Sequence, residues 1–207
     1  MRNRIGAVLL IGAAAVLAVG LSATSSFAAS PGWIITPGGA FTATAGKTTL
    51  ADTVTGNALS CKSSKAAGTF KSGSGLPGKN IGSISSFSFS NCTGPLGLTF
   101  TVTASAFPWS VNFTGFKKSG GLVTGTITGI HATLSGPECS TVVDGTRATA
   151  DDGQVRFSFN GSTLKILPTG GNLHVYNVSG CLGLLNSGDA VSYAATYTVT
   201  PEQHISP

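Results

Sequence analysis

Three histidines are the residues best suited to acid–base chemistry at neutral pH, because the imidazole group titrates in that range. His131 and His174 each lie between two apolar residues, in stretches where polar and apolar residues alternate. Such alternation turns the polar side chains of a strand toward solvent. We therefore predict that both side chains are exposed and that both positions tolerate alanine. His204 lies near the C-terminal end of the sequence.

A serine activated by histidine and aspartate would be the simplest catalytic arrangement in a chain this rich in serine. In one large group of hydrolases the serine stands in a Gly-x-Ser-x-Gly turn, and the sequence has no such segment. No serine is distinguished from the others by its neighbours. We therefore predict no catalytic residue, and a secreted hydrolase is kept only as an alternative.

An acidic cluster is the candidate for a metal site. Asp144, Asp151 and Asp152 lie within the segment VDGTRATADDG, and Ca²⁺ binds six to eight oxygen ligands. The three acids lack the alternate spacing of a calcium-binding loop, and Arg147 lies among them. Asp-Gly pairs are typical of turns, so we predict turn residues here, with no metal and no cofactor.

Four cysteines could bind zinc or form disulfides: Cys61, Cys92, Cys139 and Cys181. Zinc sites need closely spaced ligand pairs, whereas the nearest cysteines here are 31 positions apart. An even number of cysteines in an exported chain is typical of disulfides. Three pairings are possible, and we predict that nearest neighbours pair, Cys61 with Cys92 and Cys139 with Cys181.

Threonine recurs at every second position in three segments, which would put rows of hydroxyl groups on one face of a strand. The rows are Thr99/Thr101/Thr103, Thr124/Thr126/Thr128 and Thr196/Thr198/Thr200. Adjacent rows could dock on polysaccharide or on ice, but threonine is also a good strand former, and we favour that simpler role. Trp109 falls in an apolar phase and should be buried, whereas Trp33 could be an exposed platform for sugar.

Alternation with a period of two identifies the elements that must position these residues. It is clearest over residues 98–106 and 191–200, and shorter runs surround Phe87, Trp109 and Val155. This pattern is typical of half-buried antiparallel strands. No helical periodicity follows the first 28 residues.

Turn-forming residues separate these runs at short intervals. Asn160-Gly161 lies between two alternating runs and predicts a hairpin with a type I′ turn. Over residues 123–134 the apolar phase shifts by one residue after Ile127, which predicts a β-bulge at Gly129. About 11–14 strands at this spacing predict an all-β fold, either an antiparallel β-sandwich or a partly closed β-barrel, with two disulfides.

The first 28 residues have the composition of a cleaved signal peptide. Arginines at positions 2 and 4 precede an apolar run over residues 5–21, and Ser26 and Ala28 place small residues where signal peptidase reads them. This pattern predicts cleavage before Ala29, and the run is too short for a stable membrane span. Residues 29–207 would then be a single all-β extracellular domain without a later membrane span.

Charge is scarce, since charged residues make up 9% of the chain and the formal net charge is +5. Removal of Arg2 and Arg4 with the signal peptide lowers this charge to +3. Lys117-Lys118 is the only adjacent basic pair. Proteins that bind nucleic acid present a denser basic surface, so we predict no nucleic-acid partner.

Five segments after residue 28 carry a resemblance to a known group of proteins. They are PGWIITPGGAFTATAG, SCKSSKAAGTFKSGSGLPG, NCTGPLGLTFTVTASAFPW, GTITGIHATLSGPECS and the VSGC turn. The chain resembles uncharacterised secreted β-rich proteins of actinomycete bacteria along essentially all of its length after residue 28. This resemblance implies an extracellular or wall-associated β-domain, and it supplies no activity and no catalytic residues.

These observations favour a secreted, non-enzymatic extracellular or cell-envelope-associated domain with a binding or structural role. Its candidate partners are cell-wall polysaccharide and a small apolar molecule. The alternative is a carrier, in which inward-facing phenylalanines line a cavity for an apolar ligand. A closed core would favour the first function, and an apolar cavity of several hundred Å³ would favour the carrier.

Overall fold

The alternating segments form strands because each has one apolar and one polar face, and the apolar faces must be buried together. The computed structural model describes residues 32–207, so the predicted signal peptide lies outside the described residues. This part of the chain has fifteen strands and one short 3₁₀ turn at Pro95–Gly97. No helix among the described residues is long and apolar enough to cross a membrane.

The strands, in chain order, are β1 (Trp33–Thr36), β2 (Gly39–Ala45), β3 (Thr48–Asp52), β4 (Ala58–Phe70), β5 (Gly73–Leu76), β6 (Gly82–Thr93), β7 (Thr99–Ser105), β8 (Trp109–Lys117), β9 (Leu122–Gly136), β10 (Cys139–Asp144), β11 (Gly153–Phe159), β12 (Thr163–Leu167), β13 (His174–Ser179), β14 (Val191–Thr200) and β15 (His204–Ser206).

Twelve of these strands form one antiparallel sheet that closes into a barrel. Strands β4, β6, β9 and β14 are long and unbroken. The other four barrel strands each consist of two pieces, β2 with β3, β7 with β8, β10 with β11 and β12 with β13, and the two pieces continue one another along their neighbours. The eight barrel strands follow chain order, and β14 pairs with β2 and β3 to close the ring.

The predicted all-β antiparallel class is confirmed, and of the two predicted architectures the chain forms the barrel. The strand count exceeds the predicted range because four barrel strands are interrupted. The predicted disulfides are also confirmed: Cys61 pairs with Cys92, and Cys139 pairs with Cys181.

The hairpin predicted at Asn160-Gly161 joins β11 to β12, but its turn is not type I′. Only Gly161 of the two residues has a positive φ angle, of 101°. The Asn160 side chain instead accepts hydrogen bonds from the backbone N–H groups of Ser162 and Thr163 at 3.2 and 2.8 Å. The asparagine therefore supports the turn through its side chain rather than through its backbone conformation.

The bulge predicted at Gly129 is confirmed. Ile130 pairs with Gly153 and Thr128 pairs with Gln154, so Gly129 has no partner in the neighbouring strand. Its φ angle of +88° suits glycine. The extra residue keeps Ile127 and Ile130 on the same, inner face of the barrel.

A second change of phase crosses three neighbouring strands at one level of the barrel. Residues 46–47, 62–63 and 90–91 each face outward as consecutive pairs. Thr48 pairs with Cys61 on one side of this level, and Ala45 pairs with Ser64 on the other. All four of these side chains are buried, so two polar residues enter the interior together here.

A small sheet of β15, β1 and β5 packs against one end of the barrel. The Trp33 ring meets the Phe113 ring edge-on at a centroid distance of 5.1 Å. Gln203 is buried, and its Oε1 accepts a hydrogen bond from Gly38 N–H at 2.9 Å. Trp33 is therefore half-buried against the barrel, and the prediction that it could be an exposed platform is wrong.

Candidate functional site

The barrel interior contains an apolar cavity of about 90 Å³. Alternate residues of the barrel strands supply its wall, as expected for inward-facing positions. Aromatic side chains are prominent in the wall, namely Phe41, Phe70, Phe87, Phe89, Trp109, Tyr193 and Tyr197. The inward phenylalanines expected from the sequence therefore do line a cavity, and Trp109 is buried as predicted.

Phe87 and Phe89 lie at the centre of this aromatic wall. Their ring centroids are 4.9 Å apart, and Phe87 lies 5.4 Å from Trp109 and 5.9 Å from Tyr197. Phe89 meets Tyr193 edge-on at 6.2 Å. Offset and edge-on contacts of this kind are the favoured aromatic geometries, so the wall is preformed.

A chain of hydroxyl groups interrupts the apolar wall at the level where the strands change phase. Tyr197 O–H lies 2.7 Å from Ser64 Oγ and 2.6 Å from Tyr193 O–H. Burial raises the pKa of Tyr197, and the neighbouring Tyr193 raises it further. Burial also raises the pKa of Tyr193, which hydrogen-bonding neighbours lower only in part. The hydroxyl groups are therefore neutral at physiological pH.

A smaller cavity of about 40 Å³ lies beyond the first, toward the barrel end opposite the small sheet. Leu50, Leu59 and Leu134 line both cavities and so form the partition between them.

Four connections meet at that end, over residues 53–57, 94–98, 137–138 and 180–190, because alternate connections of an up-and-down barrel share one end. Thr55 Oγ1 and Asn57 Nδ2 both donate to the Leu184 carbonyl oxygen at 3.0 Å. Both disulfides also lie near this end. Hydrogen bonds thus hold the connection of residues 53–57 to that of residues 180–190 beside the smaller cavity.

Large apolar side chains project into solvent from three of these connections. Val54 is 67% exposed, Leu96 is 86% exposed and Leu182 is 82% exposed. Leu96 and Leu182 also have positive φ angles, of 58° and 51°, which non-glycine residues rarely adopt. The barrel end beside the smaller cavity therefore carries exposed apolar side chains on three of its four connections.

His131 corrects the prediction of a freely exposed imidazole. Its side chain lies on the outer face of β9, as alternation predicted, but it is only 16% exposed because the loop of residues 145–152 covers it. His131 Nδ1 lies 2.9 Å from Oδ2 of the buried Asp144 and 3.0 Å from Oδ1 of Asp151. A carboxylate therefore orients the imidazole, which the sequence prediction did not foresee.

The His131–Asp144 pair resembles the orienting half of a serine-hydrolase triad. Ser105 is the cross-strand partner of His131 and faces the same side of the sheet. No hydroxyl group among residues 32–207 makes a hydrogen bond to His131 Nε2. The arrangement thus holds a base in place without bringing a nucleophile to it.

The acidic cluster organises a turn, which is the role predicted for it. Asp144 accepts hydrogen bonds from the backbone N–H groups of Gly145, Asp151 and Asp152 at 2.6, 3.0 and 3.1 Å. Asp152 accepts from the N–H and hydroxyl of Thr146. One ligand atom each from His131, Asp144 and Asp151 lie within 4.8 Å of one another, but the Asp144 oxygens already accept bonds from the loop.

The other two histidines differ from each other. His174 is half-buried, with Nδ1 2.7 Å from the Asn172 carbonyl oxygen and 3.2 Å from that of Gly145. The prediction of a freely exposed His174 is therefore also wrong. His204 lies in β15 with an exposed side chain.

The three threonine rows do not lie side by side. Strand β7, which carries Thr99–Thr103, pairs with residues 131–135 of β9, whereas Thr124–Thr128 of β9 lie opposite β8. The third row lies in β14, which pairs with neither β7 nor β9. A different belt of exposed side chains instead crosses seven of the eight barrel strands. In order of pairing it comprises Thr163, Thr198, Thr44, Lys65, Ser88, Thr103 and Thr133. The belt follows the curve of the barrel, so it does not form the flat face that ice or a crystalline polysaccharide would require.

Sequence reasoning placed both tyrosines inward through the alternation of residues 191–199, but it missed Thr48 and Ser64. Polar residues are expected outside, and their inward orientation depends on the shared change of phase.

Comparison with protein-family models, curated protein sequences and solved structures finds no match for this chain.

Proposed function

We propose that this chain is a secreted, non-enzymatic binding protein that holds one small apolar molecule inside its barrel. The observation that carries the proposal is the apolar, aromatic-walled cavity at the centre of the fold. An eight-stranded barrel is just wide enough either to be filled by its own side chains or to hold one small ligand. Here the filling is incomplete at a preformed aromatic wall.

The cavity volume limits the size of the ligand. About 90 Å³ falls short of the several hundred Å³ expected of a carrier, and of the roughly 300–1,000 Å³ of pockets for drug-sized molecules, so the guest must be smaller than either. A dry engineered cavity of roughly 150 Å³ binds benzene. Rotation of Leu50, Leu59 and Leu134 would add the neighbouring cavity of about 40 Å³. We therefore expect a guest no larger than a single ring, which excludes a long-chain lipid.

Export is the second part of the proposal. The predicted signal peptide of residues 1–28 supports it, and so do two disulfides in the described chain, because disulfides persist mainly in oxidising compartments. The resemblance to secreted actinomycete proteins points the same way.

Calorimetric titration with benzene tests the binding, with two neighbouring alanines as a matched pair. Ala66 is buried in the cavity wall, whereas Ala67 is not among the core residues and pairs with Thr42 on the outer face. We expect the native chain and Ala67→Leu to bind one benzene with similar affinity, and Ala66→Leu, which fills the cavity, to bind at least about tenfold more weakly.

Absence of saturable binding by the native chain would overturn the proposal. Equal affinity of Ala66→Leu and Ala67→Leu would also overturn it, because benzene would then bind elsewhere.

A further inference from the structure

Thr48 is an unpaired polar group in the wall of an apolar cavity. The residue is 1% exposed and lines the larger cavity. Its Oγ1 has no hydrogen-bond partner among the described residues. A buried hydroxyl group without a partner destabilises a fold, whereas an isosteric methyl group at the same place would not.

The hydroxyl chain beside Thr48 also has one proton to spare. Ser64, Tyr197 and Tyr193 have three hydroxyl protons, and the two hydrogen bonds between them use two. If Ser64 donates to Tyr197 and Tyr197 to Tyr193, the remaining proton is on Tyr193, which lines the cavity. The Thr48 hydroxyl lies close enough to lower the pKa of Tyr193, although it makes no hydrogen bond of acceptable geometry.

Water is a poor partner for these groups. A buried water molecule makes two to four hydrogen bonds, so Thr48 and Tyr193 would give it only the minimum, and small apolar cavities are commonly dry. The rest of the wall consists of aliphatic and aromatic side chains and one disulfide. The unused donor of Thr48, and that of Tyr193 in the proton arrangement above, therefore lie where a mainly apolar molecule fits.

We propose that the ligand is a small ring compound with one oxygen atom, such as a phenol, a cyclic alcohol or a cyclic ketone, and that Thr48 donates a hydrogen bond to this oxygen. This inference rests on the proposed function and names its ligand class. The aromatic wall holds the ring, and the hydroxyl groups at the change of phase hold the oxygen.

Benzene and phenol are the two probes that test this assignment, because they differ by one hydroxyl group. Thr48→Val removes the hydroxyl and keeps the shape of the side chain. Thr49→Val is the matched control, since Thr49 is the next residue of β3 and does not line the cavity. Each affinity is measured by calorimetric titration, and each variant is compared with the native chain for the same probe.

We expect Thr48→Val to weaken phenol binding about tenfold and to leave benzene binding unchanged, whereas Thr49→Val changes neither. Because it removes an unpaired buried hydroxyl, Thr48→Val should also raise the thermal unfolding midpoint of the ligand-free protein, by about 2–4 °C.

The two proposals can fail separately. If benzene does not bind the native chain, the proposed function is wrong. If benzene binds but Thr48→Val weakens phenol no more than benzene, only the assignment of Thr48 is wrong. A lower unfolding midpoint for Thr48→Val would also overturn that assignment, because the hydroxyl would then have a partner within the protein.

Discussion

Asp144 shows how one buried carboxylate can order a loop. It accepts hydrogen bonds from three backbone N–H groups of the loop and one from the His131 ring. Burial tends to raise its pKa, but the hydrogen bonds, of which that from Gly145 is the strongest, outweigh burial and lower the pKa below the usual aspartate value. The folded state therefore stabilises the ionised Asp144 carboxylate more than the unfolded state does.

This lowered pKa predicts how stability depends on pH. A depressed folded-state pKa stabilises the fold above the unfolded value, which is about 4, and the contribution is lost as pH falls through the folded pKa. Asp144→Asn should lower the free energy of unfolding by about 1–3 kcal/mol at pH 7. The reason is that the NH₂ group of asparagine replaces one of the two carboxylate oxygens that accept hydrogen bonds. The difference in free energy of unfolding between Asp144→Asn and the native chain should become smaller below pH 4.

Urea denaturation between pH 2.5 and pH 7 measures this effect. Asp151→Asn is the control, because the mostly exposed Asp151 carboxylate also contacts His131 but accepts no backbone hydrogen bond within residues 32–207. The control should differ from the native chain by less than about 0.5 kcal/mol. Parallel stability curves for the native chain and Asp144→Asn would contradict the role given to Asp144.

Single residues also show what the sequence could and could not predict. Alternation placed His131 on the correct face of β9, but alternation cannot show that a loop returns to cover that face. Thr48 and Ser64 are polar, and only the shared change of phase in neighbouring strands turns them inward. Their role therefore depends on pairings that lie outside the local sequence.

Leu96 is the clearest case of local strain in the connecting elements. Its backbone is left-handed, with φ 58° and ψ 15°, and its side chain makes little buried contact. Asparagine tolerates this conformation better than leucine, so Leu96→Asn should raise the free energy of unfolding by about 0.5–1 kcal/mol.

Val54→Asn is the control for this prediction, since Val54 is also an exposed apolar loop residue but lacks a positive φ angle. It should leave the denaturation midpoint nearly unchanged. Equal shifts in both variants would show that exposure, rather than backbone conformation, determines the effect.

The disulfide Cys139–Cys181 ties the connection of residues 180–190, the longest at the barrel end opposite the small sheet, to the start of β10. Its two cysteines are 42 positions apart. Replacement of both by serine removes the constraint on the loop of residues 139–181 in the unfolded chain and should cost about 2–4 kcal/mol of stability. Chemical denaturation of the double variant measures the cost. A loss below 1 kcal/mol would mean that the connection is held mainly by other contacts.

The strands themselves were largely predictable, because alternation over residues 98–106 and 191–200 directly reflects one buried and one exposed face. The hairpin at Asn160-Gly161 and the bulge at Gly129 were predictable for the same reason. The interruptions that divide four barrel strands were not. They depend on the strand opposite, as between β2 and β3, where residues 46–47 and residues 62–63 of β4 interrupt the pairing together while the register stays the same.

For the molecule as a whole, the sequence is consistent with an up-and-down barrel that has short connections. It does not determine that the last barrel strand, β14, pairs with the first, β2 and β3, to close the barrel. A sandwich and a barrel use the same alternating strands, and they differ only in whether the last strand pairs with the first. The cavity was still less predictable, since its volume is the small difference between the barrel interior and the side chains that fill it.

Export can be tested on the whole chain. Expression of the full sequence in a Gram-positive host should release a protein that begins at Ala29, because Ser26 and Ala28 provide the small residues that signal peptidase requires. N-terminal sequencing of the protein in the medium gives the answer. An extracellular protein that retains Met1 would contradict the predicted cleavage.

Crystallography under xenon pressure is the direct test of the proposal that the barrel interior accepts a small apolar guest. Xenon binds in dry apolar cavities, and its scattering locates it without further assumptions. We expect one well-occupied xenon site inside the barrel, in contact with Phe87 and Tyr193. A barrel interior without xenon, with binding confined to the outer surface, would contradict it.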